Sequence, residues 1–204
     1  MPRQPTIVGN PVLLVIDIQS SAFMDVKAGI PVMPGYRERM EQALTLIRAA
    51  RELDVPTVYI QEIHRRDMVD YGRELDGSEG IHCMDGEPGT PLPAEITGQR
   101  PEDYFVPKRR YSAFFGTELE ILLKGLKAQT LILIGGMTDV CVHYTFVDGH
   151  QHDYYCRVAG DCVGGTSVAA HDASLNAMEY LQEGAVLPCD DILAALRRHM
   201  AKAA

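Results

Sequence analysis

Long hydrophobic runs are missing from the chain, since none approaches the roughly 18 residues that a membrane span requires. The first residues, MPRQP, lack the basic and then apolar pattern of a secretory signal. The five cysteines are odd in number and none has CxxC spacing, which argues against a disulfide framework or a zinc cluster. We therefore expect a soluble, cytoplasmic protein with reduced thiols that does not act on membranes.

An excess of basic residues and a nucleotide-binding loop are also absent. The net charge of −9 disfavours sequence-independent binding to nucleic acid, although the basic cluster at 108–110 could still act locally. There is no GxGxxG or Walker pattern, so the Gly164–Gly165 pair is interpreted as a tight turn. No break in composition divides the 204 residues. We predict one domain, residues 1–204, whose partner is a small molecule.

What is present is an alternation of short apolar runs with amphipathic stretches. Strands are predicted at 11–17, 55–61, 103–107, 130–136, 155–159 and 185–187. Helices are predicted at 35–53, 117–127, 138–150 and 167–182, with a last one from residue 191. The long segment 62–103 is rich in Gly, Pro and charge, which is typical of a lid or a site wall. This order predicts an α/β fold of three layers, α/β/α, around a six-stranded parallel sheet.

Local signals give further detail for three of the helices. Thr117 and Glu120 have the spacing of a capping box, and Thr138 is a plausible N-cap for the helix that follows the fourth strand. In the 167–182 helix, the residues expected to face inward are Val168, Leu175, Met178 and Leu181.

Chemically useful residues follow two of the predicted strands. Asp17 ends the first strand, and Cys141 lies just beyond the fourth, in a first helical turn whose N–H groups and dipole favour a thiolate. In a 3-2-1-4-5-6 strand order these two strands are neighbours at the ligand-binding edge. With the cation Lys108, a carboxylate could take the thiol proton and the thiolate could attack a carbonyl.

Three segments carry a resemblance to a known family. They are LVIDIQ at 14–19, KRRYSAF at 108–114 and GGMTDVCV at 135–142. In order and spacing the chain resembles the isochorismatase-like cysteine hydrolases over nearly its whole length. These include nicotinamidases, N-carbamoylsarcosine amidase, ureidoacrylate amidohydrolase, and biuret and triuret hydrolases. The resemblance implies a Rossmann-like topology with strand order 3-2-1-4-5-6 and a homo-oligomer.

The resemblance also implies the site residues. Asp17, Lys108 and Cys141 would form the catalytic triad. A cis peptide between Gly136 and Met137 would direct the N–H groups of Met137 and Cys141 into an oxyanion hole. The residues that would line the substrate pocket are Phe23, Arg109, Tyr111 and Phe114.

The implied activity is cysteine-dependent hydrolysis of a C–N bond through a thioester, with release of ammonia and without an organic cofactor. A small amide or ureide of the biuret, triuret, ureidoacrylate or N-carbamoyl type is the preferred substrate. Three alternatives stay open: a metal-binding nicotinamidase, a vinyl-ether hydrolase of the isochorismatase type, and a non-catalytic binding protein. The presence of Cys141 favours C–N hydrolysis, because true isochorismatases do not need this thiol.

No metal is expected, although three residues of the chain correspond to a metal site of nicotinamidases. Nicotinamidases bind a metal through Asp-x-His and a later His, and the corresponding residues here are Glu62, His64 and His82. Glu can bind zinc or iron, but its longer side chain changes the geometry. The alternative is that the two histidines fix the long loop by hydrogen bonds. The cysteines outside the triad, interpreted as inert, are Cys83, Cys156, Cys162 and Cys189.

Overall fold

Six parallel strands form the sheet of the computed structural model, which describes residues 5–24 and 30–203. The strands are β1 (Asn10–Ile16), β2 (Thr57–Glu62), β3 (Tyr104–Lys108), β4 (Ala128–Gly136), β5 (Tyr155–Gly164) and β6 (Val186–Leu187). Their order is β3-β2-β1-β4-β5-β6, and every neighbouring pair is parallel. The predicted fold class and strand order are confirmed.

The apolar runs form strands because both faces of the sheet are covered. In β1, Leu13 and Val15 pack into the hydrophobic cluster on one face, whereas Leu14 and Ile16 pack into the cluster on the other. All four side chains are fully buried. Each such burial stabilises the fold by about 1.5–3 kcal/mol relative to an exposed side chain. An uninterrupted apolar run is therefore what a central parallel strand requires.

Helices supply the two outer layers. The longer ones are α1 (Tyr36–Glu52), α3 (Leu119–Gly125), α4 (His143–Gln151), α5 (Val168–Leu181) and α6 (Cys189–Ala203), and α2 (Ala94–Thr97) is a single turn. Short 3₁₀ turns lie at Ser20–Phe23 and Glu74–Asp76, and a π-helical turn at Thr138–Val142 precedes α4. Residues of α1 and α6 belong to one hydrophobic cluster, and residues of α3, α4 and α5 to the other.

The predicted capping box is wrong. The Thr117 hydroxyl accepts a hydrogen bond from the Leu119 N–H at 3.2 Å, but the N-cap of α3 is Glu118, and no side chain caps the helix. Glu120, however, pairs with Lys124 one helical turn later and does not reach back to the start of α3. The helix consequently begins at Leu119, two residues after the predicted start.

The inward face predicted for α5 is also partly wrong. Met178 is fully buried, but Val168 is 50% exposed and Leu181 is 39% exposed. These two residues are the first and last of the helix, where its ends extend past the edge of the core. Within the described residues, no helix has both the length and the apolar character that crossing a membrane requires.

Strand register determines which residues meet at the carboxyl edge of the sheet. Ile16, the last residue of β1, is level with Gly135 in β4. Glu62, the last residue of β2, is level with Lys108, the last residue of β3. Four neighbouring strands therefore end side by side, at the position where parallel α/β sheets bind their ligands.

Candidate active site

The three residues of the predicted triad meet at this edge of the sheet. Lys108 is 1% exposed, and its Nζ lies 2.9 Å from Asp17 Oδ2 and 3.4 Å from Cys141 Sγ. Asp17 follows β1 with a left-handed φ of 47°. Its Oδ1 accepts a hydrogen bond of 2.7 Å from the Glu62 N–H, which fixes the carboxylate. A buried cation thus lies in contact with both a carboxylate and a thiol.

Asp17 Oδ2 is in a position to accept a proton. It is buried, and within the described chain it forms no hydrogen bond of acceptable geometry, so its contact with Lys108 is an ion pair. Burial raises the pKa of Asp17 above its ordinary value of 3.8, despite the opposing effect of Lys108. A raised pKa makes this carboxylate a stronger base.

A second carboxylate, Glu62, also contacts the triad. Its Oε2 accepts a hydrogen bond from Lys108 at 2.5 Å and lies 3.8 Å from Cys141 Sγ. Burial alone would raise the pKa of Glu62, but Lys108, His64 and His82 hold it well below its usual range. Glu62 was predicted only as an unfavoured metal ligand. The available signal was its place at the end of β2, which matches the place of Asp17 after β1.

The resting thiol differs from the prediction. Cys141 lies inside the π-helical turn, and burial raises the pKa of its thiol well above the ordinary value of 9.0, although Lys108 acts in the opposite direction. The predicted N-cap is wrong, since the helical turn has no side-chain cap and the Thr138 hydroxyl hydrogen bonds to Nδ1 of His171 at 2.8 Å. Cys141 is therefore a protonated nucleophile beside a base.

The backbone before Cys141 has the predicted form. The Gly136–Met137 peptide bond is cis. The Met137 carbonyl accepts hydrogen bonds from the N–H groups of Val140 and Val142, the residues on either side of Cys141, at 3.0 and 3.1 Å. The carbonyl is thus turned into the helical turn, away from the cavity above the thiol.

A cavity opens onto these groups. Its lining includes Asp17, Tyr36, Glu62, Met137 and Cys141. Cys83, which was interpreted only as an inert thiol, also lines it and donates to Gln19 Oε1 at 3.2 Å. Burial raises the pKa of Cys83 well above the ordinary value, which keeps this second thiol protonated.

The four residues predicted to line the pocket are not brought together. Phe23 contacts the ring of Tyr36 at a centroid distance of 5.9 Å and lies next to the cavity wall. The other three do not belong to the described lining of the cavity, so their predicted role is not supported. Arg109 pairs with Asp70, Tyr111 stacks on Tyr144, and Phe114 stacks on His152 and Tyr154.

Beside the triad lies a buried cluster of four further metal-binding side chains. Glu62, His64 and His82 are joined by Glu74, and one donor atom from each lies within 4.8 Å of the others. His64 Nε2 is 3.2 Å from both Glu62 Oε1 and Glu74 Oε2, and His82 Nε2 is 2.9 Å from Glu62 Oε1. Glu74 is 5% exposed, and within the described chain neither of its carboxylate oxygens forms a hydrogen bond.

The donor set of this cluster fits a divalent ion. A tetrahedral Zn²⁺ with bonds of about 2.0–2.1 Å places its ligand atoms about 3.3 Å apart, and Oε2 of Glu74 lies 3.2 Å from Nε2 of His64 and 3.8 Å from Nε2 of His82. Without an ion, the same groups would hold one another as charged pairs. Burial opposes protonation of His64, yet the two glutamates raise its pKa to about 9. The sequence pattern did not reveal Glu74 because it lies in a long segment without periodicity.

Most of the chain is similar to one known protein family. The model of the isochorismatase domain matches residues 11–189. The chain belongs to the isochorismatase family. The predicted family is therefore confirmed. The three segments that carry the resemblance all lie inside the matched range.

Named relatives of this isochorismatase-family protein include two amidohydrolases. A ureidoacrylate amidohydrolase of Methylorubrum extorquens is 32% identical over 200 residues, which cover 86% of this chain and 74% of the relative. A maleamate amidohydrolase of Pseudomonas putida is 29% identical, with 94% and 89% covered. The solved structure of an isochorismatase-like hydrolase from Alkaliphilus metalliredigens has a TM-score of 0.80 at 26% identity, with 92% and 99% covered.

Proposed function

We propose that this protein is a cysteine-dependent amidohydrolase that cleaves the C–N bond of a small amide or ureide and releases ammonia. The observation that carries the proposal is the contact of one buried ammonium, Lys108, with both Asp17 and Cys141, at the floor of a cavity. The coarser statement, an amidohydrolase of the isochorismatase family, is also supported by the two amidohydrolase relatives.

In the first half of the reaction, Cys141 becomes acylated. Asp17 Oδ2 removes the thiol proton as Sγ attacks the amide carbon, and Lys108 stabilises the negative charge that develops on sulfur. The N–H groups of Met137 and Cys141 are proposed to bind the oxyanion. The C–N bond then breaks, and the nitrogen leaves as ammonia after it receives the proton from Asp17.

In the second half, water restores the enzyme. Asp17, ionised again, takes a proton from a water molecule that attacks the thioester carbon. The C–S bond breaks, the acid product leaves, and the proton returns to Cys141. Because the same carboxylate serves both halves, no organic cofactor is required for this chemistry.

The charges of the cavity favour an uncharged substrate such as a simple ureide. Among the described lining residues, the acidic groups are Asp17 and Glu62. Lys108, the cation beneath them, already contacts both carboxylates. A substrate carboxylate would find no unpaired cation in this part of the wall. A neutral urea-like group, by contrast, carries hydrogen-bond donors and acceptors that can bind the polar groups of the wall.

A metal-binding amidase is the second candidate, and the buried carboxylate of Glu74 is the observation that favours it. A divalent ion in the cluster would be held by Glu62, His64, Glu74 and His82. When bound, such an ion would supply a fixed positive charge beside the triad. Glu62 itself would still present its other oxygen, Oε2, to Lys108.

The test is ammonia release from a panel of small amides and ureides, including biuret, nicotinamide and an N-carbamoyl amino acid. Cys141→Ala should abolish release, whereas Cys83→Ala, which removes the other thiol of the cavity, should retain it. Release that survives Cys141→Ala would overturn the mechanism. Failure of the wild-type protein on the whole panel would favour vinyl-ether hydrolysis or a binding function, and assay of isochorismate-like vinyl ethers would separate those two. Homo-oligomeric assembly and the cytoplasmic location stay predictions.

A further inference from the structure

Tyr36 occupies the wall of the cavity next to the cis peptide. It is the first residue of α1 and follows Gly35, whose φ of 78° is left-handed. The side chain is 4% exposed and belongs to the lining of the cavity that contains Asp17 and Cys141. The turn at Gly35 therefore directs the start of α1 toward the triad.

Two glycines at strand ends make room for the Tyr36 ring. A Cβ on Gly164, at the end of β5, would lie within 2.4 Å of the ring. A Cβ on Gly136, at the end of β4, would lie 2.5 Å from the tyrosine hydroxyl oxygen. Both distances are shorter than any contact between such atoms, so the ring fits only because these residues are glycines. The hydroxyl consequently lies beside the peptide that carries the Met137 N–H.

The Tyr36 hydroxyl has no protein partner within the described chain. No hydrogen bond joins it to another described group, and Tyr36 belongs to the lining of the cavity. Buried tyrosine hydroxyls normally find a hydrogen-bond partner. A bound molecule in the cavity would supply that partner.

The hydroxyl is available as a donor. Burial, together with the nearby charges of Asp17 and Cys141, raises the pKa of Tyr36 above its ordinary value of 10.0. The phenol therefore stays protonated at neutral pH, where Asp17 acts as a base, and up to at least its ordinary pKa of 10.0. A neutral O–H beside a backbone N–H is the arrangement that stabilises a developing oxyanion.

We propose that Tyr36 is a further catalytic residue whose hydroxyl donates a hydrogen bond to the carbonyl oxygen of the substrate, on the same side as the Met137 N–H. The inference rests on the proposed function, because it assigns the third donor to the oxyanion formed by attack of Cys141. Tyr36→Phe removes the oxygen and keeps the ring between Gly136 and Gly164.

The first measurement compares steady-state kinetics of wild type and Tyr36→Phe. We expect kcat/KM to fall by about tenfold to a hundredfold, mainly through kcat, since the lost contact strengthens in the transition state. Tyr154→Phe is the matched control, because Tyr154 is a buried tyrosine that precedes β5 at the opposite edge of the sheet. Its kinetics should match wild type, and both variants should keep the wild-type melting temperature. An unchanged kcat/KM in Tyr36→Phe would overturn the proposal.

A second measurement does not depend on knowing the substrate. Acetaldehyde adds to a cysteine thiol: the S–C bond forms, the C=O π bond opens, and the thiol proton passes to the oxygen. That oxygen occupies the oxyanion position. Alkylation by iodoacetamide forms an S–C bond with loss of iodide and creates no oxyanion. We expect Tyr36→Phe to weaken the protection of Cys141 by acetaldehyde about tenfold, and to leave the iodoacetamide rate without acetaldehyde within about twofold.

The two measurements separate the two proposals. Equal protection by acetaldehyde in wild type and Tyr36→Phe would overturn the role of Tyr36 while leaving the amidohydrolase intact. The opposite outcome is also possible to observe. If wild type releases no ammonia from any substrate, but Tyr36→Phe weakens the protection of Cys141 by acetaldehyde, the proposed function is overturned and the oxyanion contact is retained.

Discussion

Glu62 and Lys108 are level with each other on neighbouring parallel strands, and their side chains meet at 2.5 Å. Lys108 also contacts Asp17, so a single buried ammonium balances two carboxylates. Glu62 uses its other oxygen, Oε1, to contact His64 and His82. One glutamate therefore joins the thiol site to the histidine cluster, and the two groups of side chains depend on each other.

Removal of this link should destabilise the protein. In Glu62→Gln, Lys108 keeps Asp17 but loses one of its two carboxylates, and the two histidines keep only the carboxylate of Glu74 from the cluster. Removing one partner of a buried ion pair costs about 3–5 kcal/mol, and we expect a loss of about 3 kcal/mol because one partner of Lys108 remains. Urea denaturation measures it. Glu120→Gln, which breaks an exposed pair with Lys124, is the control and should leave the free energy of unfolding nearly unchanged. Equal effects in the two variants would contradict the prediction.

The pH dependence should report Asp17. Its carboxylate acts as a base only when ionised, so kcat/KM should fall as the pH decreases through its pKa. Because the pKa of Asp17 is raised above 3.8, this acid limb should lie above that value. The carboxylates around Lys108 outweigh its burial and raise its pKa well above 10.5, so loss of its charge should add no alkaline limb below that value. Rates measured from about pH 3 to pH 10 test both statements. A midpoint at or below 3.8 would count against Asp17 as the base, and Asp17→Asn should be inactive.

Thiol reactivity should distinguish Cys141 from the other cysteines. Iodoacetamide should label Cys141 first, because Lys108 stabilises its thiolate at 3.4 Å, whereas Cys156, Cys162 and Cys189 are fully buried. Burial raises the pKa of Cys141, so the labelling rate should increase with pH beyond the range of an ordinary thiol. Mass spectrometry of labelled peptides gives the rates.

Lys108→Met tests the cause of that selectivity. The variant keeps the length of the side chain and removes the ammonium, so labelling of Cys141 should slow while labelling of Cys83 serves as the internal reference. A preference for Cys141 over Cys83 that persists in Lys108→Met would show that the lysine does not set the order of labelling, because Cys141 is the more buried of the two thiols.

The sequence predicted the parts of the site that depend on strand ends. Asp17 and Cys141 could be placed together because strand order and the carboxyl-edge rule are general properties of parallel sheets. Glu74 and Tyr36 could not be placed, since one lies in an aperiodic segment and the other begins a helix whose position depends on Gly136 and Gly164. Both reach the site through tertiary packing that no local pattern encodes.

The resemblance implied a pocket lined by Arg109, Tyr111 and Phe114, and the described lining of the cavity does not support that role. After β3 the chain bends away, so that Phe114 packs beside Tyr154, the residue before the first residue of β5. The cavity is instead closed by residues distant in sequence, such as Tyr36 and Cys83.

The histidine cluster should respond to zinc. Protein treated with a chelator and then dialysed should gain thermal stability when Zn²⁺ is added, because the ion would bind the folded state and replace the protons held by His64 and His82. Glu74→Gln should reduce the bound zinc measured by mass spectrometry and the gain in melting temperature, since it removes one of four donors. Glu79→Gln is the matched control, because Glu79 lies in the same segment and its carboxylate contacts the Tyr111 hydroxyl at 3.4 Å. If zinc stabilises wild type and Glu74→Gln equally, Glu74 is not a ligand. If zinc stabilises neither protein and none is bound, the cluster is held by its own charged hydrogen bonds, and the metal-binding amidase is excluded as the second candidate.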